Sequence, residues 1–95
     1  MSNPNYSATT IFEEINAEAD FAQRVHGTYA SIHEGYGVLA EEVSELLDAI
    51  RSNVVEDVRR EAIQVAAVAM RLAEKCDLVA RESAARPNDQ AVVNG

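Results

Sequence analysis

The sequence predicts an all-α protein built from three helices, and three observations support this prediction. Apolar residues recur at steps of three and four in three separate stretches, which is the period of an amphipathic helix. No stretch alternates apolar and polar residues as a half-buried strand does. The 95 residues, of which 47% are apolar and 25% charged, have the composition of one globular domain. We therefore expect a single helical domain over residues 10–85.

The first helix is predicted over residues 10–25. Thr10 followed by Glu13 matches a capping box, a common start of a helix. Gly27 fits the end, because glycine readily adopts the left-handed conformation that follows many helices. Residues 1–9 are expected to form a flexible polar leader. The apolar residues that define the period are Ile11, Phe12, Ile15, Ala19, Ala22 and Val25.

The second helix is predicted to begin between Ser31 and Gly37 and to end near Arg51. The two glycines, Gly35 and Gly37, obscure its start because glycine is unfavourable inside a helix. The short Ser52–Asn53 connection suits an antiparallel hairpin of helices. The wide apolar stripe of this helix consists of Val38, Leu39, Val43, Leu46, Leu47 and Ile50.

The third helix is predicted from about residue 55 to residue 84 and is the longest. Its centre, residues 62–70, is apolar nearly all round, which indicates burial on several sides. Cys76 follows Leu72 by four residues on an apolar face, so we interpret it as a core thiol. A proline soon after this helix ends the pattern, and residues 86–95 are expected to form a flexible tail.

The net charge of −8 excludes some classes of partner. Binding to nucleic acid phosphates requires Lys and Arg, so we expect no nucleic acid partner. Anionic membranes are disfavoured for the same reason, and the longest strongly apolar stretch, Val65–Met70, is too short to span a bilayer. Residues 1–5 lack the basic start and the apolar region of a secretion signal, which favours a cytoplasmic location.

The shortness of the chain predicts self-association. A domain of this size leaves much of its surface exposed, so a monomeric core would be marginal. The many apolar side chains nevertheless need to be buried away from water. We therefore expect apolar surface to be covered by another copy of the chain, in a homodimer or a homotetramer.

Four glutamates form the main candidate site. Glu42 and Glu45 are three residues apart and Glu41 and Glu45 are four apart, so both pairs are neighbours on one helix. Glu61 lies sixteen residues beyond Glu45, at a similar height across an antiparallel hairpin. Converging carboxylates suit Mg²⁺ or Mn²⁺, which prefer oxygen ligands. The alternative is a solvated acidic face, since this spacing is common in helices.

The segment from His33 to Leu46 resembles the metal-binding helix of MazG-like nucleotide pyrophosphohydrolases. That superfamily is marked by Glu-x-x-Glu on one helix and Glu-x-x-Asp on the next. Glu42-Val43-Ser44-Glu45 matches the first motif, and Glu61-Ala62-Ile63-Gln64 stands at the distance of the second. The resemblance implies a helical-hairpin protomer that forms four-helix-bundle oligomers. It also implies Mg²⁺-dependent (or Mn²⁺-dependent) hydrolysis of a nucleoside triphosphate to the monophosphate and pyrophosphate.

Residue roles follow from the same resemblance. Glu42, Glu45, Glu61 and Gln64 would be metal ligands, and Glu41 would be catalytic, by binding a second ion or by orienting the attacking water. Gln64 stands where the family has an aspartate. Its carbonyl oxygen can ligate a cation but brings no charge. The alternative function is therefore a catalytically weak or inactive protein that binds nucleotide or metal, or acts as a helical interaction protein.

Two cations and two aromatic residues have competing interpretations. Arg71 and Lys75 follow Gln64 on the same face of the third helix, where they would bind phosphates and offset their charge. The alternative is that they are ordinary surface cations. Tyr29 and Tyr36 are interpreted as packing residues at the edge of the hairpin, the alternative being stacking on a nucleotide base.

Overall fold

The computed structural model describes residues 8–85, which form three helices and no strand. Helix α1 spans Ala8–His26, α2 spans Ile32–Ser52 and α3 spans Val55–Ala84. The predicted all-α class is confirmed for this part of the chain. Helix α1 begins two residues earlier than predicted, so residues 8 and 9 belong to a helix. The rest of the predicted leader and all of the predicted tail lie outside the described residues.

Helix α2 begins with the capping arrangement that the sequence analysis had placed at Thr10. The Ser31 hydroxyl accepts a hydrogen bond of 3.0 Å from the Glu34 backbone N–H, and Oε1 of Glu34 accepts one of 2.8 Å from the backbone N–H of Ala30. The first bond satisfies a backbone donor that the first turn leaves free, and the second fixes the residue that precedes the N-cap. Thr10, by contrast, lies inside the first turn of α1, because that helix already includes Ala8.

Two residues with positive φ end the first two helices. Gly27 follows α1 with φ of 74°, and Asn53 follows α2 with φ of 62°. The Gly27 N–H donates to the carbonyl of Gln23 at 2.9 Å, and the Asn53 N–H donates to the carbonyl of Ile50 at 3.1 Å. Both are residue types that tolerate the left-handed conformation. The short connection at Asn53 returns the chain as an antiparallel hairpin of α2 and α3.

Helix α3 lies at the centre of the arrangement. Both α1 and α2 pack against it, whereas no Cα atom of α1 lies within 8 Å of one in α2. Gly35 of α2 lies beside Leu72, so α2 runs antiparallel to α3. Near the starts of their helices, Glu14 of α1 pairs with Arg59 of α3, and the end of α1 lies further along α3. Helix α1 therefore runs parallel to α3.

The buried core is thin and consists largely of small side chains. Its apolar members are Ala19, Tyr29, Ala49, Ile63, Ala67 and Val68. Much of the remaining apolar surface is exposed, including a line on α2 that we call the outer stripe: Val43, Leu47 and Ile50, each 44–49% exposed. None of the three helices combines the length and the apolar character needed to cross a lipid bilayer.

Two packing predictions are wrong. Cys76 is exposed rather than a core thiol, because the part of α3 that carries it extends beyond the region covered by α2. Tyr36 is 66% exposed, whereas Tyr29 is buried as predicted. The difference arises because Tyr29 lies in the connection that crosses α3, while the side chain of Tyr36 leaves α2 on the side away from the core.

Replacement of Gly35 by alanine tests the close approach of α2 to its neighbours. A Cβ at position 35 would lie 2.6 Å from Cδ1 of Leu72 and 3.0 Å from Cδ2 of Tyr29, whereas one at Gly37 would meet nothing within 4 Å. Both substitutions gain helix propensity, but overpacking costs about 1–3 kcal/mol. In urea unfolding we expect Gly35→Ala to be less stable than Gly37→Ala by about that amount. Equal stability of the two variants would contradict the packing described.

Candidate metal centre

Three carboxylates converge across the α2–α3 hairpin, and we call them the carboxylate triad: Glu42, Glu45 and Glu61. One oxygen of each lies within 4.8 Å of the others. Glu42 and Glu45 share a side of α2 because residues three apart in a helix are neighbours. Glu61 faces them because the short connection at Asn53 brings α3 back at the same height. The convergence expected from the spacing is therefore observed for these three residues.

Two members of the triad have oxygen atoms without a hydrogen-bond donor. Oε2 of Glu42 and Oε2 of Glu61 are shielded from solvent, and neither has a partner among the described residues. Glu45 is exposed. Carboxylate oxygens that lose water without gaining a donor are unfavourable. A hard divalent cation would supply the missing positive charge, and carboxylate oxygens are the ligands that such a cation prefers. The residues present therefore fit Mg²⁺ or Mn²⁺.

The electrostatics of Glu42 agree with this geometry. Burial raises the pKa of its carboxyl group above the ordinary value, and the negative charges of Glu45, Glu61 and Glu41 raise it further. Each of these effects disfavours the ionised form. Without a cation, Glu42 therefore carries an electrostatic penalty at neutral pH.

Glu41 and Gln64 lie beside the triad rather than in it. Glu41 is exposed on α2, close enough for its charge to act on Glu42. Gln64 is one turn beyond Glu61 and lines a groove between α1 and α3, together with Glu14 and Arg59. Arg59 donates to both carboxylate oxygens of Glu14, one of them at 2.8 Å. These bonds hold the pKa of Glu14 below its ordinary value, so Glu14 already has its counter-ion and is not available as a further cation ligand.

The structure does not bring Arg71 and Lys75 to the carboxylates. Arg71 lies ten residues beyond Glu61 and Lys75 fourteen, which is about 15 Å and 21 Å along the axis of α3. Arg71 is only 5% exposed. Its Nη1 donates to the hydroxyl of Tyr29 at 3.1 Å and its Nη2 to the carbonyl of Gly27 at 2.9 Å. Contact between these cations and phosphates therefore stays a prediction.

The association of Arg71 with Tyr29 was not predicted from the sequence. The guanidinium carbon lies 4.3 Å from the centroid of the Tyr29 ring, which is a cation–π contact. The two residues are 42 positions apart, so no local spacing indicates the contact. The one sequence signal is Gly35, whose missing side chain leaves room for the Tyr29 ring.

A cleft beside this pair lies between the end of α1 and the first turns of α2, and we call it the Tyr29 cleft. It is lined by Gly27, Tyr29, Glu34, Val38 and Arg71, among others. Burial raises the pKa of Tyr29, and the charges of Glu34 and Glu42 raise it further, against the opposing effect of Arg71. The Tyr29 hydroxyl is thus within electrostatic reach of a member of the triad.

Comparison of the chain with protein-family models, with curated proteins and with solved structures gives no match.

The raised pKa of Glu42 leads to a prediction about stability and pH. A carboxyl group whose pKa is higher in the folded state destabilises that state once the pH exceeds the folded pKa, and the penalty is lost as the pH falls below the unfolded value. We therefore expect Glu42→Gln to raise the free energy of unfolding of the cation-free protein at pH 7. The gain should be on the order of 1 kcal/mol, because two charges 4–5 Å apart repel by about that amount even in water.

The measurement is urea unfolding of wild type and Glu42→Gln in chelator at several pH values between 7 and 4. The difference should shrink as the pH falls, because Glu42 of the wild type then becomes protonated. Glu74→Gln, at an exposed acid outside the triad, is the matched control and should show no such gain. A Glu42→Gln protein that is less stable than wild type at pH 7 would refute the assigned penalty.

Proposed function

We propose that this chain is a metal-dependent nucleoside triphosphate pyrophosphohydrolase that uses Mg²⁺ or Mn²⁺ and releases pyrophosphate and the nucleoside monophosphate. The observation that carries the proposal is the convergence of Glu42, Glu45 and Glu61, two of which have buried oxygens without a donor. The resemblance of the two glutamate motifs to MazG-like proteins supplies the reaction.

Each residue near the hairpin has a role in this proposal. Glu42, Glu45 and Glu61 would hold the cation, which would polarise a phosphoryl group and lower the pKa of a bound water. Glu41 is exposed next to the triad, where it orients the attacking water and accepts its proton. No side chain needs to act as a nucleophile, since water attacks phosphorus in line with the leaving pyrophosphate.

The same proposal includes a homodimer in which two α2–α3 hairpins form a four-helix bundle. The outer stripe of Val43, Leu47 and Ile50 supports it. These residues follow one another at steps of four and three, so they share one side of α2, and each remains about half exposed in the isolated chain. A second hairpin would bury the stripe and gain about 25 cal/mol for each Å² of apolar surface removed from water.

The metal-dependent function is tested by isothermal titration with Mn²⁺ and Mg²⁺ and by pyrophosphate release from a panel of nucleoside triphosphates. Wild type should bind Mn²⁺ saturably and release pyrophosphate. Glu45→Gln should lower both cation affinity and turnover at least tenfold, and it removes an exposed ligand without disturbing the core. Glu74→Gln should match wild type. A wild type that does not bind either cation, with or without nucleotide, would end the proposal.

A second candidate function is binding of nucleotide and metal without turnover. The observation that favours it is the position of Gln64, which follows Glu61 by one turn and brings an uncharged amide instead of a fourth carboxylate. The titration above separates the two candidates. Binding without pyrophosphate release in wild type, together with release by Gln64→Asp, would establish the second candidate. Brisk release by wild type that Gln64→Asp leaves unchanged would exclude it.

The homodimer is tested by substitution in the outer stripe. Leu47→Glu places a charge at the centre of the proposed interface, where burial of an unpaired charge is strongly unfavourable. Sedimentation velocity should show wild type as a dimer or tetramer and Leu47→Glu as a monomer. Phe21→Glu, at an exposed apolar residue of α1, should retain at least the dimer. A wild type that is monomeric at all concentrations would contradict this part of the proposal.

A further inference from the structure

Arg71 is a buried cation whose protein partners leave part of its hydrogen-bonding capacity unused. Among residues 8–85 it forms no ion pair. The two acceptors that it meets, the hydroxyl of Tyr29 and the carbonyl of Gly27, are neutral. A guanidinium has five N–H donors, and Nε of Arg71 is shielded from solvent without a partner. Packing alone does not explain such a group, because an apolar side chain would fill the same space at lower cost.

The Tyr29 cleft beside Arg71 has the composition of a small-molecule site. Its volume is about 350 Å³, within the range of pockets that bind small ligands. Tyr29 and Val38 provide apolar surface, while Arg71 and Glu34 provide hydrogen-bond donors and acceptors. The single carboxylate and the single guanidinium leave the cleft with little net charge. A neutral group with an acceptor and a donor therefore fits better than a phosphate.

The cleft opens along the same side of α2 that carries the triad. Glu34, Val38 and Glu42 follow one another at steps of four, so they lie on one side of the helix. Glu42 is about 6 Å beyond Val38 along the axis. Val38 lines the cleft, and Glu42 belongs to the triad. One ligand can therefore reach from the triad into the cleft.

We infer that the Tyr29 cleft receives the nucleoside of a nucleotide whose phosphates lie at the carboxylate triad. Arg71 donates to an acceptor on the edge of the base, Glu34 accepts from a donor on that edge, and Val38 packs against the base. Phosphates stay at the triad because a bound cation neutralises them there, while the cleft has no excess of positive charge. This inference rests on the proposed function for the position of the phosphates.

The inference is tested first by binding of nucleosides without any metal, because a nucleoside carries no phosphate for the cation-free triad to repel. Amide chemical shifts of ¹⁵N-labelled wild type are followed during titration with adenosine, guanosine, cytidine, uridine and thymidine in chelator. At least one of these nucleosides should shift the amides of Thr28 and Val38 saturably. The absence of a saturable shift at the cleft with every nucleoside would overturn the inference.

Two variants then test the cleft itself. Val38→Phe adds bulk inside it, and Arg71→Lys keeps the charge but removes the planar guanidinium. Each should weaken binding of the best nucleoside at least tenfold and leave Mn²⁺ affinity within about twofold of wild type. Arg81→Gln, at an exposed arginine outside the cleft, should bind as wild type does. Circular dichroism checks that each variant is folded, and Val38→Phe serves if Arg71→Lys does not fold.

The outcomes separate this inference from the proposed function. Cleft binding that Val38→Phe removes, in a wild type without pyrophosphate release, would support the cleft and remove the hydrolase. Pyrophosphate release by wild type with an unchanged KM in Val38→Phe would support the hydrolase and overturn the cleft.

Discussion

Gly35 lets α2 lie against α3 at the level of Leu72, and Asn53 reverses the chain eighteen residues later. These two points set the register of the α2–α3 hairpin. The register in turn brings Glu61 opposite Glu42 and Glu45. In two antiparallel helices, the residue numbers of facing residues add up to about the same value. A slip of one turn would move Glu61 about 5 Å along the axis and would separate the three carboxylates. The candidate metal centre therefore depends on backbone packing that involves none of its own ligands.

The thin core and the carboxylate triad both limit the stability of the α2–α3 hairpin. The core is thin, and its buried members are mostly small, so packing of the described residues offers limited stabilisation. The triad adds repulsion between like charges, together with the loss of solvent at Oε2 of Glu42 and Oε2 of Glu61. A divalent cation would relieve the repulsion, and a second hairpin on the outer stripe would enlarge the core. A bound cation and a second hairpin would therefore favour both the stability of the protein and its proposed function.

Arg71 connects α3 to the segment between α1 and α2. Its guanidinium contacts the carbonyl of Gly27, which follows α1, and the ring and hydroxyl of Tyr29, in the connection to α2. It thereby holds this connection against α3, although no Cα atom of α1 lies within 8 Å of one in α2. The same contacts keep it away from the triad. Arg71, which the helical spacing suggested for phosphate binding, also lines the neighbouring cleft.

The sequence by itself determined the helices and the composition of the triad. Helical periodicity, Gly27 and the short Ser52–Asn53 connection are local signals, and a short connection constrains the pairing of the two helices beside it. The convergence of Glu42, Glu45 and Glu61 was predictable for that reason. Only the tertiary structure decided the placement of α1 along α3, the burial of Arg71 and the exposure of Cys76. It also decided that Gln64 lines the groove next to Glu14. These features depend on contacts between residues more than forty positions apart, or on where one helix extends beyond its neighbour, and periodicity along a single helix carries no information about either.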